Sequence, residues 1–100
     1  MLLYNVTVNI SKNVAPDWLH WVRTEHLPDI MATGLPTRHQ LLELLTEIDN
    51  GGCTYTIQLI FPDQATYDAY ETIYAPKLHP QMQRRYIGNI YTFQTLLREI

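Results

Sequence analysis

A single α+β domain, with an antiparallel four-stranded sheet and two helical segments on one face, is the architecture this sequence predicts. Three observations predict it. Segments 2–10, 53–61 and 90–97 alternate residue by residue with the period of a strand. Segments 16–34 and 62–88 carry apolar residues at helical spacing, and each ends at a glycine. With a further strand at 35–48, the order is strand, helix, strand, strand, helix, strand. That is the ferredoxin-like βαββαβ arrangement, in which the first and third strands are central.

In the first strand Leu2, Tyr4, Val6, Val8 and Ile10 share one side, and Leu3, Asn5, Thr7 and Asn9 the other. Ser11 to Ala15 turn the chain, Pro16 suits a first helical turn, and Asp17 favours the helix dipole. Leu19, Val22, His26 and Ile30 then form an apolar stripe. Pro28 disfavours a helical Leu27, so a kink or a fresh short turn is expected there, with Gly34 as a left-handed cap. The leucines around 41–45 fit a helix or a bulged strand equally. The neighbouring Asp49-Asn50-Gly51-Gly52, a hairpin signature, decides for a strand.

In the third strand Cys53, Tyr55, Ile57, Leu59 and Phe61 alternate with Thr54, Thr56, Gln58 and Ile60. Asp63 is the expected N-cap of the second helix, whose inner stripe reads Tyr67, Tyr70, Ile73, Tyr74, Leu78, Met82 and Tyr86. Pro76 and Pro80 interrupt it and predict two pieces at an angle. The outer sheet face should carry Asn5, Thr7, Thr54, Thr56 and Gln58, with Thr92 or Gln94 joining from the edge.

One hundred residues, 46% hydrophobic and 17% charged, suit one globular domain over 1–100. So low a charge fraction suggests a surface partly covered by a partner. The net charge is −3 with only seven Lys and Arg, and Arg84-Arg85 sits where a helix C-terminus favours cations. No basic stripe points to nucleic acid, and no apolar run approaches the ~20 residues of a membrane span. The opening MLLYNVTVNI lacks the basic flank and cleavage site of a signal peptide. One cysteine makes no intrachain disulfide, which fits a reducing cytoplasm.

Four stretches carry a resemblance: Y-N-V-T-V-N-I at the start, W-L-x-W with E-H-L-P-D-I-M-A-T-G-L, the G-G-C-T-Y-T-I-Q strand and the late F-Q-T-L-L. Together they resemble a family of short bacterial proteins described only as a domain of unknown function, within the dimeric α+β barrel superfamily. The resemblance implies a homodimer with facing sheets and a pocket between sheet and helices. It also implies a fold shared with cofactor-free monooxygenases, muconolactone isomerase-like enzymes and haem-degrading enzymes, without choosing among reactions. His79-Pro80 inside the second helix departs from the pattern.

His26, an imidazole beside an apolar stripe, is the candidate catalytic residue, a proton acceptor or substrate-orienting donor. Asn5, Thr7, Thr56 and Gln58, neutral hydrogen-bonders on adjacent central strands, are candidate substrate-binding residues. Trp18 and Trp21 join them: three residues apart, they are not expected both to point inward, leaving one to line a pocket or a dimer contact. Cys53 reads as a packed thiol. His20 and His26 lack the spacing of paired helical ligands, and no H-E-x-x-H or paired-cysteine pattern occurs, so neither a metal nor a cofactor is expected. The leading reading is a homodimeric, cofactor-free monooxygenase- or isomerase-like enzyme or binder with a small-molecule ligand. The alternative is a non-catalytic dimerisation module whose aromatic side chains only pack.

Overall fold

In the computed structural model, which describes residues 1–46 and 51–100, strand β1 (Leu2–Ser11) leads into α1 (Ala15–Trp21). A π-helical turn (Val22–His26) joins α1 to α2 (Leu27–Ala32), and β2 (Arg38–Glu43) and β3 (Gly52–Phe61) follow. The second helical segment repeats the plan: α3 (Gln64–Ala69), a π-helical turn (Tyr70–Tyr74) and α4 (Ala75–Arg85), before β4 (Ile90–Arg98). The sheet is antiparallel, in the order β2-β3-β1-β4, so β1 and β3 are central as expected of the ferredoxin-like fold. Asp49 and Asn50 of the expected hairpin, and the end of the strand predicted over 35–48, lie outside the described residues. Among those described, no helix is long and apolar enough to cross a membrane.

Alternation along β1 sets the two faces. Leu2, Tyr4, Val6, Val8 and Ile10 are all buried, and they meet Tyr55, Ile57, Leu59 and Phe61 of β3 on the helix-covered side. Trp18, Val22, Leu27 and Ile30 cover that face from the first helical segment; Tyr70, Ala75, Leu78, Met82 and Tyr86 cover it from the second. Asp63 caps α3 through its side chain, which accepts from the Thr66 amide at 2.8 Å. Gly34 takes φ +75, the left-handed conformation expected of it.

The register corrects one expectation. Gln94 pairs with Val6 and Thr92 with Val8, so both face the helices rather than joining the outer polar face. Tyr91, Phe93 and Leu97 take the outer positions, opposite Asn9, Thr7 and Leu3. Period alone located β4; its pairing with β1 decided which side faces inward.

The prolines are accommodated through π turns, which the spacing did not indicate. His26 (φ −67, ψ −52) and Leu27 (φ −64, ψ −43) remain helical immediately before Pro28. The chain widens into a π turn, with the Leu27 amide reaching back five residues to the Val22 carbonyl. That wider turn moves the preceding carbonyls out of the proline ring's way, and the short helix α2 starts there in place of the expected fresh turn from Pro28 to Thr33. In the second segment the Ala75 amide likewise reaches the Tyr70 carbonyl. Pro76 follows in the first turn of α4, and α4 runs through Pro80 without dividing.

Each π turn inserts one residue and resets the inward phase. Past Tyr70 the next buried position is Ala75, which turns Ile73 and Tyr74 outward; Ile73 is 64% exposed. The even stripe expected through those two residues is therefore not formed. Trp18 and Trp21, expected to diverge, are both buried, because positions three apart share a helix side and the two rings find different partners. Trp18 stacks on Tyr55, with centroids 5.1 Å apart.

This phase makes unequal demands on neighbouring side chains. Tyr70→Ala is expected to cost about 3–5 kcal/mol, as for a large ring removed from a core. Ile73→Ala should cost no more than about 0.5 kcal/mol. Urea unfolding of both variants checks this; equal losses would return Ile73 to the core and remove the register step.

Candidate ligand site between sheet and helices

Both π turns border one cavity. Tyr4 and Val6 of β1, Ile57 and Leu59 of β3, and Thr92 and Gln94 of β4 form its sheet side. His26 from the first π turn, Ile30 of α2, Tyr70 from the second, and His79, Met82 and Gln83 of α4 close it. The free space is small, about 20 Å³, room for about one water molecule. A second void, an open groove of about 340 Å³, shares Tyr4, His79 and Gln94 with it.

His26 is buried, and its ring stacks on Trp21 with centroids 4.8 Å apart and planes at 23°. Its Nδ1 is buried without a hydrogen-bond partner among the described residues. Burial, helped by His79 and opposed by Asp29, lowers its pKa to about 4, so the imidazole is neutral at physiological pH. His79 is held below its ordinary value by burial, against the pull of Glu71. The Tyr4 hydroxyl is hydrogen-bonded to His79 Nε2 at 3.2 Å, tying β1 to α4 across the cavity mouth. Burial, then the negative charge of Glu71, pushes the Tyr4 phenol far above its ordinary range and keeps it protonated. Gln83 Nε2 donates to Thr92 Oγ1 at 2.6 Å on the α4–β4 side.

Behind this wall the Arg85 guanidinium lies 5.5 Å from the Trp21 ring centroid, and Tyr86 donates to Asp17 Oδ2 at 2.7 Å. Trp21 is thus fixed on one side by α4 and presents its other contact to His26. Among the described residues no lysine or arginine lines the cavity. Two neutral imidazoles, a protonated phenol and side-chain amides can exchange protons and hydrogen bonds with a ligand, but offer no fixed positive charge for a phosphate or carboxylate.

Of the residues singled out from sequence, His26 alone lines the cavity. Trp21 supports it from behind, and Trp18 is core. Asn5, Thr7, Thr56 and Gln58 occupy the opposite sheet face, because they alternate with the buried positions of β1 and β3. There they bond one another: Asn5 Nδ2 donates to Thr7 Oγ1 at 3.1 Å, and Gln58 Nε2 to Asn5 Oδ1 at 3.3 Å. His20 and His39 are exposed elsewhere, and among the described residues no group of three or more His, Cys, Asp and Glu could hold a metal. Tyr4, Tyr70, Glu71 and His79 went unassigned. The usable signal was present for Tyr4, which sits among the inward residues of β1, and for His79, beside Leu78 in the helical stripe.

The family model described as Domain of unknown function (DUF4286) matches residues 1–100. Among curated proteins none matches the chain in sequence. Solved structures share its fold. HapK from Hahella chejuensis superposes with a TM-score of 0.74 at 12% identity, covering 100% of this chain and 93% of its own. SnoaB, a cofactor-independent oxygenase from Streptomyces nogalater, gives 0.64 at 15%, covering 98% and 92%. A dimeric ferredoxin-like protein from an uncultured marine organism gives 0.60 at 8%, covering 99% and 98%.

The buried imidazole links stability to pH. An unfolded His26 takes up a proton near pH 6.5, the folded one only near pH 4. Between those values the unfolded chain binds more protons, so stability falls as pH drops from about 6.5 to about 4, by up to roughly 3 kcal/mol. Denaturant unfolding of wild type and His26→Gln over this window checks it. The variant should show a clearly shallower loss, and an unchanged slope would mean His26 is not the group responsible.

Proposed function

The chain belongs to the DUF4286 family, a domain of unknown function, and we propose that it is a homodimeric protein that binds a small planar molecule between sheet and helices and moves a proton on it. One observation carries this reading: a neutral, buried His26 with an unpaired Nδ1 forms part of the wall of a cavity whose mouth holds the Tyr4–His79 pair. The reaction that fits is proton abstraction next to a carbonyl or from a phenol. His26 takes the proton, the electron pair moves onto a substrate oxygen, and the Tyr4 hydroxyl holds that oxygen. An anion forming beside His26 raises the affinity of the imidazole for the proton, which offsets its low pKa in the unliganded cavity. Returning the proton at another atom completes an isomerisation. A cofactor-free monooxygenase would use the same anion with dioxygen. SnoaB, described as a cofactor-independent oxygenase, lends that second course support through fold alone.

The outer sheet face supports the homodimer. An antiparallel sheet covered on one side usually turns polar residues outward. Here Tyr91, Phe93 and Leu97 stand there at 79%, 62% and 51% exposure, with Leu42 nearby on β2 and the polar row of Asn5, Thr7, Thr56 and Gln58 between. A second copy laid sheet to sheet covers those rings and encloses the polar row. The unpaired Cys53 suits a reducing cytoplasm. The small size of the cavity favours the other reading, a dimerisation module in which the aromatic cluster only packs.

Two measurements separate these readings. Light scattering should find a dimer that Phe93→Glu converts to monomer, and a wild-type monomer would remove the facing-sheet assembly. In calorimetry 4-ethylphenol should bind wild type and lose about tenfold in affinity in His26→Gln, the scale of one buried hydrogen bond. If 4-ethylphenol does not bind wild type, the dimerisation module is the better account.

A further inference from the structure

The groove beside the cavity has a chemistry of its own. Tyr4, His79 and Gln94, which it shares with the cavity, form one side; Glu71, Ala75, Pro76 and Pro80 form the rest. Glu71 comes from the second π turn, and its Oε1 is buried with no hydrogen-bond partner among the described residues. Burial first and the charge of Glu71 second push the Tyr67 phenol up to about 12. Pro80 adds a second local shortage of donors, since it brings no N–H to the Pro76 carbonyl one turn earlier in α4. Among the described residues no lysine or arginine lines the groove. It therefore contains a carboxylate with no fixed positive charge in the same lining.

On the reading of the cavity as a ligand site, we propose that the groove receives a protonated amine: the ligand places an uncharged ring against Tyr4 and His79 and pairs its ammonium with Glu71. An ammonium carries three N–H donors and a positive charge, which suits the unpartnered oxygen of Glu71. A carboxylate or phosphate tail meets the charge of Glu71 instead and is rejected. Specificity then divides between the two voids, with the cavity recognising the ring and the groove its cationic end.

Three probes with one ring separate the contributions: 4-ethylphenol, tyramine, which adds an ammonium, and 3-(4-hydroxyphenyl)propanoate, which adds a carboxylate. In calorimetry on the intact protein, tyramine is expected to bind about tenfold tighter than 4-ethylphenol and the carboxylate more weakly than either. Glu71→Gln should erase the tyramine preference while leaving 4-ethylphenol affinity unchanged. If 4-ethylphenol binds and tyramine binds no tighter, this inference fails and the cavity reading stands. A tyramine preference that survives Glu71→Gln also overturns it. Binding of none of the three overturns both. Should the variant not fold, the ranking of the three probes on wild type decides the matter alone.

Discussion

The two helical segments cover the sheet under one shared constraint: each meets a proline while it still has apolar surface to bury. The response is the same in both. Val22–His26 and Tyr70–Tyr74 widen into π turns, and Pro28 and Pro76 follow two residues later in the first turn of the next α-helix. A π turn has poorer hydrogen-bond geometry than an α turn and persists only where packing compensates for it. Here the compensation is visible. The inserted residue lets His26 and Leu27 both turn inward, and in the second turn Tyr70 faces the cavity while Glu71 reaches the adjoining groove. The site is thus built from the irregular part of each helix, held against the most regular part of the sheet.

Its electrostatics follow from that placement. His26 is neutral because it is buried between the Trp21 ring and the cavity, with no carboxylate close enough to outweigh desolvation; Asp29 opposes the shift without reversing it. The Tyr4 phenol is pushed the other way, toward permanent protonation, by burial and by Glu71. Two groups that could each have carried charge are therefore both uncharged. The one carboxylate is displaced outward to the groove. Such a site discriminates by ring shape and by the position of a cation, not by attraction of anions.

Much of the fold was legible because one face of β1 is apolar at every second residue, which fixes strand, phase and core together. Gly34 and Asp63 were legible for local reasons, a left-handed cap and a side chain that accepts from the helix start. The phase of β4 was not, since Tyr91, Phe93 and Leu97 on one side look as buriable as Ile90 and Leu96 on the other; only pairing with β1 resolves it. The π turns before the prolines were not legible for a different reason. A missing N–H permits either a break or a π turn, and tertiary burial, invisible in the local pattern, selects the second. Of the site, His26 was found from its stripe. Tyr70 follows the helical stripe and is inward by spacing alone, whereas the position of Glu71 depends on the inserted residue.

The cavity's size bears on which side of it can change. Space for about one water cannot hold a ring, so a ring gains room only by moving some of the walls. Tyr4, Val6, Ile57 and Leu59 stand on central strands paired along their whole length, where displacement would break a continuous ladder. The opposite wall is α4, which contains Pro80 and so lacks one backbone hydrogen bond in its interior. Its two ties to the sheet at this point, His79 to Tyr4 and Gln83 to Thr92, are side-chain bonds that a ligand's own hydroxyl or amine can replace in kind. The same bonds that close the cavity when it is unliganded are therefore the ones a ligand would exchange, and the helical side, not the sheet, is where the fold can yield.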